Sequence, residues 1–180
     1  MSLSFWDFSI AVYSASAVQD ECLSLQDQFG LDVNLVLLGA YLGAVPGVAL
    51  TADDIASARQ QVQQWQADIV RPLRAARRSL KTIGLGNDAQ VVTAAMDLRT
   101  NIKAAELDAE RIEQTMLERW AKTRLAGRPG GNSCDAVLTN LQALLAAYGI
   151  SPERLAAANA MKHLIAGALE QAAIGRRPPL

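Results

Sequence analysis

Apolar residues recur along this chain at intervals of three and four. No stretch alternates with the period of two that a half-buried strand requires. Ser4-Phe-Trp-Asp7 and Ser16-Ala-Val-Gln19 each set a hydroxyl three residues before an acceptor, so capping boxes are predicted to open helices at Ser4 and Ser16. Val18, Cys22, Leu25 and Phe29 form the apolar face of the second helix, which Gly30 stops. Asp32 is placed to cap a third, whose apolar run Val33 to Val45 ends at Pro46-Gly47. That run has 13 residues, and a membrane span needs about 20, so it reads as a buried core helix and not as a crossing segment.

A longer seam follows through Ile55, Ala58, Val62, Trp65, Ile69, Leu73, Ala76, Leu80 and Ile83. Pro72 lies inside it and should kink or split the helix, because it cannot donate to the carbonyl four residues back. After Gly84-Leu-Gly-Asn-Asp88, which supplies a turn and a cap, a second seam runs from Val91 through Ala95, Leu98, Ile102, Ala105, Ala109, Ile112 and Met116 to Trp120. Two seams across a short turn predict an antiparallel helical hairpin. Gly127-Arg-Pro-Gly-Gly-Asn132 reads as a flexible linker. One helix beyond it carries Val137, Leu138, Leu141, Leu144, Leu145 and Tyr148, and another opens at Ser151-Pro-Glu.

The fold predicted is all-α: a bundle with a three-helix N-terminal subdomain, a long antiparallel hairpin and two C-terminal helices. Residues 1–126 form one domain, 127–132 the linker, 133–174 the C-terminal pair and 175–180 a disordered tail. A chain of 180 residues buries enough surface to fold without metal or disulfide. Cys22 and Cys134 have no ligand spacing. The first residues, MSLSFWDFS, lack a positively charged leader, and the expected compartment is the cytoplasm.

Charge adds one strong feature. Val70 to Asn87 holds Arg71, Arg74, Arg77, Arg78 and Lys81 without one acid, in a chain of formal net charge −1. At helical pitch these cations share an arc of about 120°. With Ile83 and Asp88 flanking a tight turn, Arg74 should face Asp97 and Arg71 should lie near Thr100. The acids Glu106, Asp108, Glu110 and Glu113 should then lie opposite Gln64 down to Ala58. On that register the hairpin leaves its basic face unneutralised, apart from an Arg74–Asp97 pair. The other arrangement docks the arginines onto N-terminal acids such as Asp7, Asp20, Glu21 or Asp27. Arginine suits bidentate oxyanion contacts, so the candidate anion- or partner-binding residues are Arg71, Arg74, Arg77, Arg78 and Lys81.

Asp32 reads first as a helix cap. Alternatively Asp32, Asn34 and Gln26 meet the arginines across a cleft, as polar residues of a pocket. Phe5, Trp6, Phe8 and Tyr13 crowd the first helix and read as core. His163 stands without a paired carboxylate, and no catalytic, metal-binding or cofactor-binding set is evident. Nucleic acid is disfavoured by a pI near 5.8 and by the lack of stacking aromatics among the cations.

Several segments resemble a family of uncharacterised proteobacterial proteins of about 160 residues, known as a domain of unknown function. The resemblance rests on Phe5-Trp6, Tyr13, Cys22-Leu, Leu25-Gln26, Gly30-Leu-Asp-Val-Asn-Leu35, Trp65, Val70-Arg-Pro-Leu-Arg74, Arg77-Arg78 and Lys81, and covers roughly residues 4–120. The chain departs from the family at Gly39-Ala-Tyr-Leu-Gly43, where bulkier residues, often with a tryptophan, are more usual. Its C-terminal third has no counterpart there. The resemblance implies a compact bacterial helical protein and carries no catalytic residue. Two functions remain: a non-enzymatic adaptor that offers its basic face to an acidic protein surface, or a site, enzymatic or not, for an anionic small molecule between the N-terminal subdomain and the hairpin. A third possibility is a homo-oligomer formed through the seams.

Overall fold

The computed structural model describes residues 3–86, 88–151 and 161–175, and all regular structure among them is helical. The elements are α1 (Phe5–Tyr13), α2 (Ser16–Phe29), α3 (Val33–Ala44), α4 (Ala52–Trp65), a π turn (Gln66–Val70), α5 (Arg71–Thr82), α6 (Ala89–Arg124), α7 (Ser133–Ala147) and α8 (Lys162–Gly175). Beyond Ser151, the predicted opening of the last helix at Ser151-Pro-Glu lies outside the described residues, as does most of the predicted disordered tail.

Local signals set most helix starts. Ser4 caps α1 by accepting from the Asp7 N–H, Asp32 caps α3 through Asn34, and Asp88 caps α6 through Gln90 and Val91. Gly30 ends α2 in the left-handed conformation. Ser16 does not cap: α2 begins at Ser16 itself, with Ala15 in the capping position and no side-chain bond. A full capping box falls instead at Thr51 and Asp54, and Asn132 caps α7.

The core is one cluster drawn from α1, α2, α3, α4, α6, α7 and α8. Phe5 and Phe8 are wholly buried, each contributing about 1.5–3 kcal/mol of transfer free energy, and both pack on the Tyr41 ring. Helix α7 lies directly on α3. A Cβ at Gly43 would stand 2.5 Å from the Val137 backbone nitrogen, so glycine sets how closely the two helices approach. Gly39 on the same face abuts Asn140. Gly39 and Gly43 of α3 therefore seat a C-terminal helix.

Asn140, fully buried, donates to the Gly39 and Val48 carbonyls and accepts from the Leu50 N–H, fixing the chain between α3 and α4. Within 127–132, the Gly131 N–H bonds the Gly47 carbonyl at 2.8 Å.

Pro72 acts upstream of itself. Its ring would clash with the carbonyl four residues back, and the chain widens into the π turn, where the Arg71 N–H reaches the Gln66 carbonyl. The helix thus continues into α5 through a bulge. The extra residue rotates the inward face: Gln66 and Val70 are buried, whereas the seam positions Trp65 and Ile69 sit half-buried and 37% exposed.

Helix α5 has no buried residue, and α6 buries none before Glu106. A space lies between this end of the hairpin and α1–α3.

Candidate functional site

The hairpin register differs from the expected one. Arg74 pairs with Glu106 and Glu110, not Asp97, and Arg77 also pairs with Glu106. Gln66 bonds Glu113, shifted in the same direction. Arg74 therefore meets α6 about two and a half to three and a half turns beyond the position that a tight turn would give. The cause lies at the tip. Ile83 leaves α5 in extended conformation (φ −67°, ψ 134°), so the connection uses up length and α6 begins past the end of α5. The basic face is consequently neutralised from two sides. Arg74 also donates to Gln26, and Arg78 pairs with Asp27 of α2 at 2.8 Å. Arg71 and Lys81 remain exposed.

Beneath Arg74 lies a network of buried polar side chains. Asp32 and Glu113 hydrogen-bond each other. Glu113, with no exposed surface, accepts from Gln66 Nε2 at 2.8 Å and Asn34 Nδ2 at 2.9 Å. Because Asn34 spends its amide donor on a carboxyl, its Oδ1 is left to accept, and Gln114 Nε2 donates to it at 2.8 Å. Gln114 in turn is 5% exposed, and its Oε1 has no partner among the described residues.

Electrostatics follow from burial. Desolvation, then the charge of Asp32 and the hydrogen bond to it, push Glu113 up to about 9 against the pull of Gln66 and Asn34. Burial likewise raises Asp32, despite hydrogen bonds from its own helix start. Burial and the nearness of the two carboxyls thus favour the protonated form of Glu113 at neutral pH. Burial also raises Glu110, even with Arg74 beside it. For Glu106, burial is outweighed by Arg77 and Arg74, which hold it below the usual carboxylate range.

This network borders a cavity of about 490 Å³ between α1–α3 and the hairpin. Gln26, Asp32, Asn34, Arg74, Arg77 and Arg78 all line it, so it gathers the two candidate groups read from the sequence. Arg71 and Lys81 do not line it. Half-exposed Ile10, Leu23 and Leu107 supply apolar wall, with Trp6 and Tyr13. The Arg111 guanidinium lies 5.2 Å from the Trp6 ring centroid. Two of the aromatics assigned to the core thus face the cavity, while Phe5 and Phe8 stay inside the core.

The sequence reading missed Gln66, Glu106, Glu110, Glu113 and Gln114. One signal was present: Glu106, Ala109, Glu113 and Leu117 follow at spacings of three and four, which sets two acids in the same stripe as buried leucine and alanine. His163 lies elsewhere. Its Nδ1 is 2.8 Å from Glu21, which also accepts the His163 and Leu164 N–H groups and so caps the start of α8. No group of three or more potential metal ligands is found among the described residues. None of their helices is long and apolar enough to cross a membrane.

No curated protein and no solved structure matches the chain. The family described as "Protein of unknown function (DUF2390)" matches residues 4–117, from the cap of α1 through the buried acids of α6. That span holds every residue of the polar network, and the chain belongs to this family.

Proposed function

We propose that this protein is a non-enzymatic binding module for a small organic molecule, held between the N-terminal helices and the hairpin. One observation carries this reading: an apolar-walled cavity of about 490 Å³ borders a buried polar network with an unpaired acceptor. That volume is ordinary for a small-molecule site. Buried polar groups without partners cost free energy, so they persist where something else satisfies them.

The adaptor reading, in which the basic face captures an acidic protein, is less well supported. Three of its five cations meet carboxylates of the same chain, and of the exposed ones, Arg71, Arg78 and Lys81, Arg78 is paired with Asp27. An anionic ligand would meet Arg74 and Arg77 already engaged by Glu106 and Glu110, which leaves Arg78 and Lys103 as the other cations of the cavity lining. We place the protein in the bacterial cytoplasm, where the free thiols of Cys22 and Cys134 stay reduced.

The test is a thermal-shift screen of a metabolite library against the wild type and Ala104→Phe. Ala104 is an exposed position that lines the cavity, so phenylalanine there fills space without touching the core. The reading expects compounds that raise the melting temperature of the wild type and leave Ala104→Phe unmoved. Hits that stabilise both proteins equally would place binding elsewhere.

A further inference from the structure

One face of the hairpin borders the cavity, and its residues follow the helical period. On α6 the half-buried or buried positions Arg99, Ile102, Glu106 and Ala109 recur at spacings of three and four. The residue after each of them (Thr100, Lys103, Leu107 and Glu110) lines the cavity. Arg78 of α5 lines it too, one residue after Arg77, whose side chain meets α6. Arg74 and Arg77 both pair with Glu106, so Arg78 on the antiparallel helix lies level with residues 102–105. Arg78 and Lys103 therefore project from neighbouring helices on one face and at one height.

These two cations differ from the others in the lining. Arg74 and Arg77 are held by Glu106 and Glu110. Arg78 gives Nη2 to Asp27 at 2.8 Å, in a pair half-exposed on both sides, and keeps its other N–H groups unspent. Lys103 has no carboxylate partner among the described residues. Glu106, one turn away, is already shared by two arginines, and Glu113 lies about 15 Å further along α6. Ile10, Leu23 and Leu107, each about half exposed, line the same space. An apolar wall thus meets a cationic rim with one ammonium left over.

Resting on the cavity as a ligand site, we propose that its ligand is a monocarboxylate with an apolar body, the carboxylate bridging Lys103 and Arg78 and the body lying against Ile10, Leu23 and Leu107. An ammonium and a guanidinium offer several charged donors to the two carboxylate oxygens. One unpaired ammonium calls for one negative charge. An alcohol with the same body forgoes the charge-assisted bonds, and an amine sets a second cation beside Lys103.

Isothermal titration of the full chain at neutral pH with octanoate, 1-octanol and octylamine separates these cases, since the three share one aliphatic body. Octanoate is expected to bind at least about tenfold tighter than octanol, with octylamine weakest. Lys103→Gln and Arg78→Gln should each weaken octanoate about tenfold and leave octanol unchanged. Both residues are exposed, so the two variants keep the fold. Three results that Ala104→Phe abolishes would overturn the carboxylate assignment and leave the cavity as a ligand site: preference for octanol or octylamine, equal binding of all three, or an octanoate preference that both glutamine variants retain. Binding that Ala104→Phe does not affect, or no binding by any of the three at millimolar concentration, counts against both.

Discussion

Glu113 enters the folded protein as half of a proton-sharing pair, and this gives the stability a pH dependence of definite sign. Its ordinary value is 4.5, and in the fold it is pushed up to about 9. A carboxyl raised in this way contributes stability that is complete below the unfolded value and is lost as pH climbs through the folded one. Folding should therefore take up a proton between about pH 5 and pH 9, and the melting temperature should fall across that window. Glu113→Gln puts an amide where the protonated carboxyl stood and should flatten the decline. A variant profile parallel to the wild type would show that Glu113 is not the group responsible. Asp54 behaves oppositely. Burial raises it, but Arg128, Thr51 and Arg124 outweigh burial and hold it far below 3.8. Its contribution is present above that value and is lost as pH falls toward the depressed one. Asp54→Ala removes a capping box and leaves Arg128 and Arg124 without their carboxylate, so urea denaturation should show a loss of about 3 kcal/mol.

At the level of elements, α3 and α7 meet through glycine. Leucine at Gly43 would collide with backbone atoms of Ala136 and Val137, which cannot turn aside as a flexible side chain can. Gly43→Leu should cost at least about 3 kcal/mol and speed amide exchange throughout α7, whereas Gly84→Ala, with nothing within 4 Å, should be silent. Uniform loss of protection in all helices would mean that α7 is not a separable layer. What the sequence disclosed of these elements was local: the caps at Ser4, Asp32 and Asp88 depend on a few adjacent residues and could be read directly. The seam of α4 and α5 could not be followed past Trp65, because a constant 100° per residue fails where Pro72 opens a π turn and turns Gln66 inward. The buried acids of α6 were hidden for another reason. Charge is assigned to water unless its partners are known, and those of Glu106 and Glu113 come from α3, the π turn and α5. Asp32 and Asn34 drew notice in the sequence because they stood beside an apolar run.

Across the whole molecule, the arginines divide into two kinds. Arg74 is 18% exposed, joins α2, α5 and α6, and neutralises two partly buried glutamates, so Arg74→Met should cost about 2–4 kcal/mol and disturb the cavity. Reversing Arg71 and Lys81 to glutamate should change stability by less than about 0.5 kcal/mol. The opposite ranking in chemical denaturation would return weight to a basic docking face. A protein that encloses a polar network beside an apolar cavity is expected to be isolated with that space filled. Native mass spectrometry of the chain, gently purified from the cells that make it, tests this most directly. The account predicts a bound small mass on the wild type that is missing from Ala104→Phe. A spectrum holding only the bare chain for both proteins would contradict it.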